Sequence, residues 1–394
     1  MAQAEQSVTG MPRGSLGEVA SYFVRLGLLA YGGAAGHVAM MRRELVERRG
    51  WISQQDFLDL FGMMNLIPGP SSTELVIALG YSRAGWPALI LAGGLFILPA
   101  MLMVMALGWA YVTYGALPAA QWILYGINPI VIAIVADALW SLGRAALKST
   151  WLAVLCAAAV VLYFRGVSVI AILFGAIALT AIAGFAARRR AGGGEGRAAI
   201  LPLLGWASAA VGAAAVAIPF TLTRLFFTFL KIGAVAYGSG YVLLAFLRAD
   251  FVAHLHWLTD KQLLDSVAVG QLTPGPVFTS ATFIGYLTGG IKGGLLATLG
   301  IFLPSFVYVA VLFPLIPRLR GSPAARLFLD GINATTVGLM GAVSWQVARG
   351  AIVDWFTAAE AIVAFIILLR FPINSAWLIL GGTAIGFAFR FLTR

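Results

Sequence analysis

Apolar runs recur along this chain, broken only by turn signals and short charged loops, at the length that crosses a lipid bilayer, about 20 residues. They fall near residues 18–41, 86–113, 119–143, 150–164, 167–187, 199–219, 223–247, 293–314, 326–347, 354–369 and 374–391. With 61% hydrophobic residues, 10% charged residues and a mean hydropathy of +0.93, the composition cannot supply a soluble surface. The fold class is therefore all-α, a polytopic integral membrane protein. Its 394 residues leave no room for a large catalytic or nucleic-acid-binding module outside the membrane. The excess of Lys+Arg 26 over Asp+Glu 15, a net charge of +11, reads first as a topogenic signal on cytoplasmic loops. Residues 1–16 are polar and show no cleavable signal. Cys156 has no second cysteine to pair with and reads as packing.

The chain is a tandem duplication. A slide of 206 residues superposes Phe23 on Phe229, Gly27 on Gly233, Ala30-Tyr31-Gly32 on Ala236-Tyr237-Gly238, Trp51 on Trp257, Asp59 on Asp265 and Thr73 on Thr279. It also carries Pro68-Gly69-Pro70 onto Pro274-Gly275-Pro276. After one deletion the register continues at 205 through Gly80-Tyr81 with Gly285-Tyr286, Gly126-Ile127-Asn128 with Gly331-Ile332-Asn333, and Trp140 with Trp345. Matched Gly, Pro, Trp and Asp in one register are not a product of apolar composition. The expected organisation is a first repeat over 18–187, a basic linker with an extra helix over 188–222, and a second repeat over 223–391.

Each Pro-Gly-Pro lies between two segments too short to cross alone, 54–66 and 71–82, and 261–272 and 277–289. If these are re-entrant hairpins they add no crossing and the halves run parallel; if they are broken spanning helices the halves are inverted. The distribution of basic residues leans towards parallel halves. Loop 114–118 has no basic residue where its counterpart carries Arg318 and Arg320, which fits inverted halves. Both readings stand at this stage.

Proline interrupts a helix, and the helix that restarts beyond it presents free N–H groups and the positive end of its dipole. Discontinuous helices of this kind mark transporter sites. The candidate substrate-binding residues are therefore Pro68, Gly69, Pro70, Ser71, Ser72 and Thr73, and Pro274, Gly275, Pro276, Thr279 and Ser280, with the shared Tyr31-Gly32 and Tyr237-Gly238. Arg25 and Lys231 are equivalent cations within apolar helices; they either face a substrate cavity or extend to the interface. Asp59 and Asp265, each nine residues before its Pro-Gly-Pro, and Glu74, which has Ser280 opposite, are the candidate coupling carboxylates. Asn128 and Asn333 read as packing. His254 and His256 read as an accidental loop pair, and His37 aligns with Leu243. No nucleotide-binding or metal-hydrolase motif is present, so neither an enzyme, a metal nor a cofactor is expected.

The doubled pattern Phe-x-[Arg/Lys]-x-Gly-x-x-Ala-Tyr-Gly, Trp, Pro-Gly-Pro, Thr and Gly-Tyr resembles the chromate ion transporter family, in its long form of two fused domains. The resemblance implies efflux of chromate across the bacterial inner membrane, driven by the proton-motive force and conferring chromate resistance. The partners it implies are chromate, with sulfate as competitor, and protons; the lipid bilayer follows from the composition, and a homodimer is a separate expectation. A sulfate or other oxyanion carrier and a passive anion channel are the alternatives. The site suits such a substrate, because a tetrahedral dianion needs donors and hydroxyls with helix N-termini supply them.

Overall fold

The computed structural model describes residues 13–31, 33–190, 219–237, 240, 242–313, 323–371 and 373–393, with backbone alone for 183–190, 312 and 323–327. Gly32, Gly238, the expected helix in the 188–222 linker, and Arg318 and Arg320 lie outside the described residues. All regular structure among those residues is helical. The first repeat consists of α1 (Leu16–Leu29), α2 (Gly33–Met41) running into a π-helical turn (Arg42–Arg48), α3 (Gln54–Met64), α4 (Ser71–Tyr114), α5 (Pro118–Ala146), α6 (Thr150–Phe164) and α7 (Val169–Arg190). The second follows the same order: α8 (Leu222–Val235), α9 (Leu243–Leu247) with its π turn (Arg248–His254), α10 (Asp260–Leu272), a 3₁₀ turn (Val277–Thr279), α11 (Ser280–Leu312), α12 (Pro323–Ala351), α13 (Trp355–Arg370) and α14 (Ser375–Leu392).

Equivalent helices start at equivalent caps. Ser15 and Thr221 cap α1 and α8, Ser53 and Thr259 cap α3 and α10, and Ser149 and Asp354 cap α6 and α13. Each side chain accepts from an amide that the helix leaves unbonded, a contribution of about 1 kcal/mol.

The long helix α4 is not one rod. Ala84 and Gly85 leave helical geometry, with Gly85 at φ 73°. A Cβ placed on Gly93 would lie 2.7 Å from Ile77, although sixteen residues of straight helix would hold the two roughly 24 Å apart. The chain therefore reverses at Gly85, in a backbone region that glycine enters without steric cost. The same reversal occurs in α11 at Gly289–Gly290, where Gly290 has φ 60° and Gly285 faces Ala297.

These reversals show what the Pro-Gly-Pro segments are. Arg83, at the end of the limb that follows the first one, pairs with Glu18 at 2.9 Å and lies 4.7 Å over the Trp51 ring. The start of α1, the start of α3 and the Gly85 turn thus share one face of the bundle. In the second repeat Phe220 packs on Trp257 at 5.0 Å and Gly289 lies against Phe220. Each Pro-Gly-Pro is therefore the tip of a re-entrant hairpin.

The expected single span over 18–41 is corrected: it too is re-entrant. α1 stops at Leu29, Ala30 is extended, Gly33 has φ 63°, and the returning chain brings Arg49 over the Tyr22 ring and Trp51 to 5.7 Å from it. A glycine-rich Ala-Tyr-Gly-Gly breaks the helix here without proline.

Removing that crossing changes the parity. Gly93 lies against Phe306, Gly294 against Met105, Gly108 against Tyr286, and Tyr81 against Phe313 at 5.4 Å, so the outgoing limb of α4 and that of α11 run antiparallel. The halves are inverted, and the hairpins are re-entrant, a combination outside the two framed from sequence. By length and composition, α4, α5, the Val277–Val311 stretch and α14 are each able to cross a membrane.

In a Cys156→Ala background, Glu47→Cys and Ala253→Cys, at equivalent exposed positions of the two π turns, should be labelled by an impermeant maleimide from opposite sides of the membrane. Labelling of both from one side would contradict the inversion.

Candidate substrate site at the crossed loops

Inversion brings the two broken regions together, and each loop is held by the other repeat. The Gly69 amide donates to the Ala236 carbonyl at 2.7 Å, and the Gly275 amide donates to the Ala30 carbonyl at 2.9 Å. Ala30 and Ala236 are equivalent positions where α1 and α8 end. Both glycines have positive φ, 133° and 97°. A Cβ on Gly69 would collide with the Glu74 carboxylate and the Ser305 hydroxyl, and one on Gly275 would stand 2.7 Å from the Ala100 Cβ. Ser305 and Ala100 occupy the same repeat position.

Around the first loop the side chains are polar. Pro70 precedes α4, Ser71 is half-buried, and Ser72, Thr73 and Glu74 are buried. His37, fully buried, lies 3.2 Å from the Ala30 carbonyl through Nε2 and 3.1 Å from the Ser72 hydroxyl through Nδ1. A carbonyl only accepts, so Nε2 carries the proton and the Ser72 hydroxyl donates to Nδ1. A continuous chain thus runs from Gly275 through Ala30 and His37 to Ser72 and joins both loops. Among the described residues Thr73 Oγ1 has no partner; Glu74 accepts from Ser305 at 3.3 Å through Oε1 and leaves Oε2 unpaired. Buried polar atoms without partners are costly to keep, and two of them stand at one helix start.

The second loop is self-contained. Thr279 donates to the Pro276 carbonyl at 2.8 Å and Ser280 to the Val277 carbonyl at 2.9 Å. At the positions of His37 and Ser72 it has Leu243 and Phe278, both buried. Pro274 and Pro276 flank Gly275 and are buried; Pro68 is half-buried. Tyr237 donates to the Leu66 carbonyl of the first repeat at 2.5 Å, whereas Tyr31 is 37% exposed.

The structure does not bring the two cations to the loops. Arg25 lies on the exposed face of α1, and Lys231, 41% exposed, pairs with Asp250 at 2.5 Å. The paired carboxylates also diverge. Asp59 is half-buried and accepts from Gln55 at 3.2 Å. Asp265 is fully buried and accepts from Tyr111 at 2.8 Å and Asn128 at 3.2 Å, with Lys261 at 3.6 Å. Asn128 is thus more than a packing residue. Together with Lys261 and Arg390 it lines a cavity of about 650 Å³ on the face where the second repeat begins. Among the described residues no group of His, Cys, Asp or Glu is placed to hold a metal ion.

Sequence reasoning missed His37, Ser305 and Tyr111. Their partners are distant in sequence, and His37 and Ser305 lack counterparts of like chemistry.

Re-entrant helices that meet across inverted halves define a multi-pass membrane protein of the inverted-repeat transporter class. The matches to known proteins narrow that class: the chain belongs to the chromate transporter family, which it matches over residues 17–185 and 223–387. It is 35% identical to a chromate transport protein of Cupriavidus metallidurans over 97% of this chain and 95% of that one. It is 31% identical to a probable chromate transport protein of Synechococcus elongatus over 90% of both chains, and 31% identical to a chromate transport protein of Pseudomonas aeruginosa over 83% of this chain and 80% of that one. No solved structure matches the chain.

His37→Leu gives the first repeat the residue of the second, and Ser72→Ala removes the other end of the same hydrogen bond. Each should lower thermal stability in detergent by about 1–2 kcal/mol, and the double variant should lose little more than either alone. Strictly additive losses would show that the two side chains do not act together.

Proposed function

We propose that the protein carries chromate out across the bacterial inner membrane as a secondary transporter energised by the proton-motive force, and so confers chromate resistance. The observation that carries this reading is the membership of the chromate transporter family over both halves, with named chromate transport proteins similar along most of the chain. The crossed loops support it physically. A tetrahedral dianion needs converging donors and no competing acceptor at its oxygens. The start of α4 offers the Ser71 hydroxyl and the unpartnered Thr73 hydroxyl beside a helix N-terminus, while the Ser72 hydroxyl is engaged by His37.

Magnitudes bear on the driving force. An inside-negative potential of about 100 mV acts on two charges with about 4.6 kcal/mol, enough by itself for more than a thousandfold gradient. A proton contribution must therefore be sought with the potential clamped. Glu74 is the carboxylate best placed to exchange that proton: it is fully buried, one oxygen is unpaired, and it touches the loop glycine. Asp265 and Asp59 stand farther along their helices, towards opposite faces.

In proteoliposomes with the potential clamped, Glu74→Gln should keep chromate exchange down its own gradient while losing most of the acceleration given by a pH gradient. Asp265→Asn and Asp59→Asn should weaken that acceleration less. If all three variants and their combination respond to the pH gradient as the parent does, coupling lies at other residues; if the parent itself shows no acceleration, the membrane potential alone drives transport. If sulfate outcompetes chromate in the same assay, the substrate assignment is wrong.

A further inference from the structure

The groove between α1 and the first π turn has chemistry that the loops do not use. Its volume is about 270 Å³, and Arg25, Arg43, Arg48 and Glu44 line it together with Leu29 and Met40. Glu44 is the acid of this groove, and it is already engaged by Arg48 at 3.2 Å and Arg49 at 2.9 Å. Arg25 and Arg43 have neither an acidic nor a hydrogen-bonding partner among the described residues. Leu29, 52% exposed, lies one turn beyond Arg25 on the same face of α1, and Met40 is 37% exposed. In a membrane protein such residues form the perimeter. An arginine on a lipid-facing helix is costly unless an anion meets it, and among the described residues no free acid meets Arg25 or Arg43.

The second repeat shows the alternative solution. Lys231, in the place of Arg25, has its counter-ion in Asp250. Ala249 replaces Arg43, His254 replaces Arg48, and Phe246 replaces Met40. Only the first repeat leaves positive charge beneath an apolar rim, and it does so on the face that also carries Arg83, Arg144 and Lys148. A face rich in basic residues is the one that meets anionic lipid headgroups.

We propose that this groove binds an anionic phospholipid, with the phosphate between Arg25 and Arg43 and an acyl chain along Leu29 and Met40. The volume takes a headgroup and leaves the chains in the bilayer. A free oxyanion gains nothing from the apolar rim. The site reassigns Arg25 from the substrate to the surrounding membrane, and it holds whatever the transported ion is.

The test uses the purified full chain with phosphatidylglycerol or phosphatidylcholine, scored by lipid retained in native mass spectrometry. The parent should retain phosphatidylglycerol about tenfold over phosphatidylcholine. Arg25→Gln with Arg43→Gln should bring the two lipids to parity, the double lysine variant should keep a preference, and Lys231→Gln should leave it unchanged. Parity in the parent, or an undiminished preference in the double glutamine variant, overturns the proposal. Chromate or inorganic phosphate is added to the parent in a separate arm. Displacement of phosphatidylglycerol by either free ion would make the groove an oxyanion site and overturn the lipid assignment. If the glutamine variant fails to insert, the parent's lipid preference and the displacement arm still decide.

Discussion

A helix broken within an apolar medium exposes amides and carbonyls that neither lipid nor water can satisfy. Among the described residues four such breaks, at Ala30, Gly69, Ala236 and Gly275, are satisfied in pairs. The Gly69 amide takes the Ala236 carbonyl and the Gly275 amide takes the Ala30 carbonyl. Each repeat satisfies a loop amide of the other, so the inverted pairing of the halves completes the hydrogen bonding of both loops. The close fit of α1 and α8 against the outgoing limbs follows from the same demand: a Cβ on Gly27 would stand 2.7 Å from the Phe96 carbonyl, and one on Gly233 would collide with the equivalent Ile301 carbonyl.

Upon this symmetric frame the chemistry is one-sided. His37, Ser72, Glu74 and Ser305 have Leu243, Phe278, Ser280 and Ala100 as counterparts. The first loop therefore carries buried polar atoms, two of them unpaired, while the hydroxyls of the second are spent on their own backbone. Backbone symmetry builds the meeting point, and its side chains give one half an unpaired hydroxyl and a buried carboxylate. The same division holds nearer the surfaces, where Asp265 is enclosed by Tyr111 and Asn128 while Asp59 is half-buried.

The duplication, the helical class and the two interrupted regions were legible because Gly, Pro, Trp and Asp recur in one register within an apolar chain. The break at Ala30 was not, since Tyr31-Gly32 carries no proline and the surrounding 18–41 run has the length of a span. That single miss reversed the parity and left the orientation of the halves open. The crossed hydrogen bonds of Gly69 and Gly275 are illegible for another reason: they are made by backbone groups, which every residue possesses. His37 stands out poorly in the sequence because it has no counterpart in the second repeat. The opposite rule would have found it, since the departures from internal symmetry at positions 37, 72, 74 and 305 converge in space on one loop. Arg25 and Lys231 matched in sequence and yet differ in surroundings, because Asp250 answers one and Arg48 and Arg49 occupy the acid that could answer the other.

The central claim is that one substrate site forms where the two loops cross. It is tested most directly by alkylating single cysteines at Ser71 and Thr279, in a Cys156→Ala background, with and without chromate. Chromate should slow modification at both positions, one from each repeat, with the same concentration dependence as transport. Protection at neither position, in variants that still transport, would place the substrate elsewhere.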